Sequence, residues 1–188
     1  MPDTAFSTLE TARLRLRRVR ESDVAAFVAY RSQPETAHFQ SWEAPFPEAE
    51  ARAFLAEMAD AHPDTPGQWF QFAIASREDD MLVGDVALFT AGDDPGKVEL
   101  GYTLDARATG KGLAGEAIMA VLAYAFEQRG KHLVEAWTDA RHSRSLALLA
   151  RLGFQRPDSP PRRGFYKGEW CEDIHHTMSA QDWALRQV

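Results

Sequence analysis

Apolar and basic positions alternate between residues 11 and 19, where Leu14 and Leu16 stand between Arg13, Arg15 and Arg17. A period of two predicts a strand with one buried face. Ser22 or Asp23 then stands where it can cap a helix that carries Val24, Phe27, Val28 and Tyr30. A second helix is predicted over residues 48–60, introduced by Pro45 and Pro47 and carrying Phe54, Leu55 and Met58, with residues 62–67 breaking to a loop. Residues 69–76, 81–89 and 97–104 read as three successive strands joined by turn-rich segments, and an antiparallel meander is the economical arrangement. The tip Glu78-Asp79-Asp80 reads as a solvated hairpin end.

Over residues 113–129 the spacing of Leu113, Ala117, Ile118, Val121, Leu122, Ala125 and Phe126 is helical, with Gly130 placed for a left-handed cap. A strand over 133–138, a helix over 143–152 stopped by Gly153, a loop over 156–164 and one or two strands within 165–178 complete the pattern. Repeats, low-complexity tracts and linkers are absent from the sequence, and 188 residues suit one core better than two, so residues 1–188 are read as a single domain.

Composition narrows the function classes. With 45% apolar and 26% charged residues the chain is neither disordered nor fibrous in character, and a net charge of −7 argues against a nucleic-acid binder held by phosphate contacts. That charge mildly favours a cationic substrate. Cys171 is the only cysteine, so an intrachain disulfide is impossible and a cytoplasmic location is expected; the residue itself reads as a small apolar side chain. Residues 1–9 carry Asp3 and lack an apolar stretch, and the longest apolar run, 117–126, falls short of a membrane span, so neither export nor membrane insertion is expected.

The segment Thr109-Gly110-Lys111-Gly112-Leu113-Ala114-Gly115 lies between a predicted strand and the long helix. Small residues let backbone approach a ligand closely, and a helix N-terminus offers unpaired N–H groups with partial positive charge, which suits a pyrophosphate. A P-loop is excluded because the glycine spacing before Lys111 is wrong and no Ser or Thr follows it. Gly110, Gly112 and Gly115 do match a dinucleotide fingerprint, but that motif belongs after the first strand of a parallel unit, and here the turn follows a meander. A tight strand-to-helix connection without a ligand is the remaining alternative.

In this turn the chain resembles the GNAT N-acetyltransferases, and within them the branch of ribosomal-protein N-terminal acetyltransferases that includes RimJ and RimL. Their coenzyme turn reads Gln/Arg-x-x-Gly-x-Gly/Ala, with Thr109 here in the Gln/Arg position. Four further segments are similar and follow the family's order: Leu14-Arg15-Leu16-Arg17, Val98-Glu99-Leu100-Gly101-Tyr102, Ser145 to Phe154 ending in Leu-Gly-Phe, and Gly168-Glu169-Trp170 leading to Asp173. The resemblance spans nearly the whole chain. It implies an α/β (α+β) fold of one GNAT-type domain, with a central mixed, mostly antiparallel twisted sheet of about seven strands and about four flanking helices.

The resemblance also implies acetyl-CoA as co-substrate, no metal, and direct attack of a primary amine in a ternary complex. The coenzyme is expected on Thr109, Gly110, Lys111, Gly112, Leu113, Ala114 and Gly115, with the pantetheine arm along the backbone near Tyr102 and Leu104. His142 replaces the family's usual Asn, and Leu149 stands where many relatives carry an acidic Tyr. Glu99 matches a position where some members carry the catalytic base, Ser145 one near the coenzyme sulfur, and Tyr166 is the second choice of proton donor. Solvated, orienting or backbone-bonding roles are the alternatives for His142, Glu99 and Ser145.

Tyr30, Phe39 and Trp42 are expected to offer aromatic surface to the acceptor, with plain packing as the alternative. His175, His176, Glu172 and Asp173 do not read as a metal site, because adjacent strand residues face opposite sides. Expected partners are a small-molecule amine or a protein N-terminus, with no nucleic acid or membrane, and exposed terminal strands could pair into a homodimer. A non-catalytic acetyl-CoA-binding regulatory module and a nucleotide- or dinucleotide-binding enzyme are the rival functions.

Overall fold

The computed structural model describes Phe6 and residues 8–186. The reading of residues 1–9 therefore lies largely outside the described residues. Eight strands, β1 (Thr8–Glu10), β2 (Leu14–Arg17), β3 (Trp69–Ser76), β4 (Leu82–Thr90), β5 (Lys97–Leu104), β6 (Leu133–Asp139), β7 (Arg162–Tyr166) and β8 (Glu169–Ser179), form one sheet ordered β1-β2-β3-β4-β5-β6-β8-β7. Every neighbouring pair is antiparallel except β5 and β6. The expected mixed, mostly antiparallel sheet is present, with eight strands in place of about seven.

The differences have local causes. A three-residue β1 is too short to show a period, and its pairing with β2 supplies its stability. Residues 162–164, expected as loop, belong to β7 because Lys167 and Gly168 both adopt positive φ, +50° and +82°, and close a two-residue hairpin that pairs Tyr166 with Glu169.

Six α-helices occur among the described residues, against about four expected: α1 (Val24–Arg31), α2 (Pro34–Ala37), α3 (Glu48–Asp60), α4 (Leu113–Ala123), α5 (Ser143–Arg151) and α6 (Ala180–Leu185). The long central helix does not stay α to residue 129, because Tyr124–Gln128 continue it as a π turn before Gly130 at φ +63°. Neither Ser22 nor Asp23 caps α1 with its side chain, because residues 21–23 form a 3-10 turn and Asp23 has another use. Its carboxylate receives both Arg17 guanidinium ends, at 2.8 and 2.9 Å, and both residues are buried. The alternation at 13–17 thus holds for Leu14 and Leu16 and fails at Arg17, whose charge is matched inside.

The sheet has an apolar core on each face. On one side Leu14, Leu16, Phe70, Phe72, Val98 and Leu100 meet Ile118, Val121 and Leu122 of α4 and Leu149 of α5. On the other, Ala73 and Leu82 lie with Phe27 and Tyr30 of α1 and Leu55 and Met58 of α3. Strand β3 is buried along nearly its whole length, so its sequence WFQFAIAS is apolar beyond simple alternation.

Candidate active site

Strands β5 and β6 are paired only at Lys97–Leu133, Val98–Val134 and Glu99–Glu135, although β5 runs on to Leu104 and β6 to Asp139. Past Glu99 they part, and neither has the other as a strand partner from there on. The parted strands are bridged by hydroxyls: Tyr102 Oη lies 2.5 Å from Ser145 Oγ, which lies 3.3 Å from Thr138 Oγ1. Ser145 is therefore buried between α5 and this opening, and it does not hydrogen-bond the carbonyls of its own helix. Burial pushes the Tyr102 phenol up to about 12 while the bond to Ser145 opposes the rise. The sequence drew attention to Tyr102 through its backbone alone, and only the tertiary contact reveals its hydroxyl.

The glycine turn follows β5. Gly110 and Gly112 have φ of +76° and +78°, a region that L side chains rarely enter. No backbone N–H from Gly110 to Gly115 donates a hydrogen bond among the described residues, so a run of amides is available at the start of α4. These features fit a pyrophosphate. Thr109 instead donates its hydroxyl to the Ala106 carbonyl at 2.7 Å, and Gly115 faces α5, where a Cβ would make ordinary contact with Leu148 at 3.6 Å.

Arg13 holds the turn from β2's side. Its Nη1 donates to the Lys111 carbonyl at 2.8 Å and its Nε to Glu116 at 2.7 Å. Glu116 also accepts from the Thr11 hydroxyl and the Arg13 amide, and these hydrogen bonds keep its carboxyl below the ordinary value against the cost of burial. Arg13 stood in the alternating pattern as a surface residue; its partner lies 103 positions away, which no local pattern reports.

Glu99 faces the side of the sheet opposite Tyr102. Burial raises its carboxyl above the ordinary glutamate value, nearby Arg162 opposes this and Glu135 adds to it. Glu135 receives Lys97 at 2.7 Å and His175 at 2.8 Å. The His175 ring stacks on Trp137 at 4.2 Å, and the Arg162 guanidinium lies 3.6 Å from the Trp137 ring centre. His176 is buried on the other face, with its Nδ1 at the Ile174 carbonyl. The sequence pattern marks His175 only within the His-Glu-Asp segment and does not single out Trp137; no group of three or more His, Cys, Asp or Glu that could hold a metal occurs among the described residues.

The remaining predicted residues fall in two places. Phe39 stacks on His142 at 4.2 Å and 11°, which joins the segment after α2 to the start of α5, and burial lowers the His142 imidazole. Tyr166 donates its hydroxyl to the Gln40 carbonyl at 2.9 Å, so that group is engaged with the segment after α2 and not with Ser145. Gln40 in turn donates to the Tyr102 carbonyl at 3.3 Å. Trp42 lines a cavity of about 740 Å³ between α3 and the sheet, which also reaches Asp85, Gly101 and Tyr102. Tyr30 offers it no aromatic surface: it is fully buried and hydrogen-bonds Asp85 from within the core. Cys171 is half-buried, 3.1 Å from Arg141 Nη2, and so is not a purely apolar packing residue.

No helix among the described residues is long and apolar enough to cross a membrane. The acetyltransferase (GNAT) domain family matches residues 13–155. The uncharacterized N-acetyltransferase p20 of Bacillus licheniformis is 30% identical over 152 residues, covering 80% of this chain and 84% of that protein. The ribosomal protein uS5-alanine N-acetyltransferase of Escherichia coli is 31% identical over 84 residues, 45% of this chain and 43% of that one. Among solved structures, a GNAT-family acetyltransferase from Bacillus anthracis superposes with a TM-score of 0.81 at 20% identity, covering 93% of this chain and 99% of that one. The ribosomal-protein-S5-alanine acetyltransferase of Vibrio fischeri does so at 0.79 and 20% identity, covering 95% and 99%. With the turn, the parted strands and a family match across most of its length, this chain belongs to the GNAT N-acetyltransferases.

Proposed function

We propose that the protein transfers the acetyl group of acetyl-CoA to a primary amine, of a small molecule or a protein N-terminus, by direct attack while both substrates are bound. The observation that carries this reading is the parting of β5 and β6 just after Glu99, beside a left-handed glycine turn whose amides are unbonded among the described residues. The turn would receive the pyrophosphate, and the open edge of β5 near Tyr102 and Leu104 would pair with the amides of the pantetheine arm. The relatives that acetylate a ribosomal alanine support an amine acceptor.

In this reading the amine nitrogen attacks the thioester carbonyl, a C–N bond forms and the C–S bond breaks. Glu99, with its carboxyl raised by burial, takes the proton lost by nitrogen through a water. The leaving sulfur receives a proton from the Tyr102–Ser145 hydroxyl pair at the opening. Tyr166, tied to Gln40, serves in holding the segment after α2 over the cleft.

The test is calorimetric titration with acetyl-CoA, against ATP and NAD, on the wild type and on Gly112→Trp, followed by CoA release with an amine panel. An indole at residue 112 stands where the pyrophosphate is expected, at a φ of +78° that L side chains rarely adopt, so the variant should lose at least roughly tenfold in affinity. Binding of ATP or NAD in place of acetyl-CoA overturns the assignment. Tight acetyl-CoA binding with no CoA release from any amine would identify a regulatory module instead.

A further inference from the structure

Arg31 ends α1 inside the cavity lined by Trp42, Asp85 and Gly101, and it is 7% exposed. Its guanidinium lies between rings, 4.1 Å from the centre of Phe27 and 3.9 Å from that of Trp42, with Phe46 and Phe54 at 5.4 Å. A guanidinium carries five N–H donors and is always charged. Its acceptors are few: Nη2 lies 3.5 Å from Asp85 Oδ2, the outer limit of a hydrogen bond, and the Tyr30 hydroxyl, itself turned to Asp85, is the other polar group it meets. Nε is buried with no hydrogen-bond partner among the described residues. Aromatic faces hold the cation but accept no strong hydrogen bond, so the group is held in place and short of acceptors.

Asp85 is in the opposite condition. It accepts from Gln71 Nε2 at 2.5 Å and from the Tyr30 hydroxyl, besides Arg31. With three of its roughly four lone-pair sites filled, it has little left for a ligand cation. The unfilled hydrogen-bonding capacity of the cavity floor is therefore donor capacity, and it belongs to Arg31.

The floor also has a defined offset from the open strand edge. Asp85 on β4 is opposite Thr103 on β5, and Thr103 lies in the stretch of β5 past Glu99 that β6 leaves unpaired, so the floor is one strand spacing, about 5 Å, from that edge. We propose that the acceptor is a small amino acid, whose carboxylate is bound by Arg31 while its amine reaches the opening between β5 and β6. This rests on the acetyl-transfer reading above, and it commits to a free carboxylate in place of a protein N-terminus.

The test is CoA release by the full chain with L-alanine, L-phenylalanine, β-alanine and 4-aminobutyrate, each against its carboxamide, in the wild type, Arg31→Gln and Arg31→Lys. Charge-assisted hydrogen bonds predict that at least one acid has a KM roughly tenfold or more below that of its amide. The preference should vanish in Arg31→Gln and survive in part in Arg31→Lys, with acetyl-CoA affinity unchanged in both. Equal KM values for acid and amide in the wild type overturn the proposal without any variant. So does an undiminished preference in Arg31→Gln, or reaction of peptide N-termini alone. Those results leave the acetyltransferase reading standing, whereas failure of the wild type to bind acetyl-CoA removes both.

Discussion

Glu99 is surrounded by one arginine, one lysine and two further carboxyls, and burial decides the sum: its carboxyl titrates above the ordinary glutamate value of 4.5. A base must be deprotonated to act, so kcat/KM should fall as pH drops through a midpoint above 4.5, with a separate rise at higher pH from the acceptor amine itself. Glu99→Gln should remove the acid limb and lower kcat by about 10²–10⁴-fold, the usual worth of a general base. A pH–rate profile of both enzymes measures this, and an unchanged acid limb in the variant would exclude Glu99 as the base. The residue was legible in the sequence by its match to a family position, but the cause of its raised carboxyl was not. Arg162, Glu135 and Asp173 come from three other strands and meet Glu99 only in the folded sheet.

At the scale of elements, α3, β3 and β5 have the boundaries that the apolar pattern predicts: α3 and β5 each bury a face long enough to show its period, and β3 is an apolar run bounded by turn residues. Elements of three to six residues, β1, α2 and α6, escape that signal. Between β4 and β5 the contact is tighter than any pattern reports: a Cβ on Gly84 would overlap the Thr103 carbonyl oxygen and press on Leu104. Gly84→Ala should therefore destabilise the protein by about 1–3 kcal/mol, the usual cost of overpacking. Urea unfolding reads this directly, and a neutral result would mean that β4 relaxes freely against β5.

At the scale of the whole molecule, the two faces of the sheet divide the work. The α4 side carries the glycine turn and the hydroxyl bridge, while the α1 and α3 side carries the cavity and Arg31. The C-terminal helix closes the first core: Trp183 is buried, stacks on Phe126 at 5.6 Å and donates to Glu127 at 2.9 Å. Trp183→Ala should lower unfolding free energy by about 3–5 kcal/mol. Calorimetric unfolding would detect it, and a loss below about 1 kcal/mol would show that α6 is dispensable to the core. By itself the sequence determined the meander, the helix periods and the glycine turn, because these depend on residues near one another along the chain. Tertiary structure alone decided that β5 and β6 part after three pairs, that Tyr102 meets Ser145 and that Arg31 is left short of acceptors. Each of those depends on groups brought together from distant parts of the chain, and a one-dimensional pattern carries no distance between them.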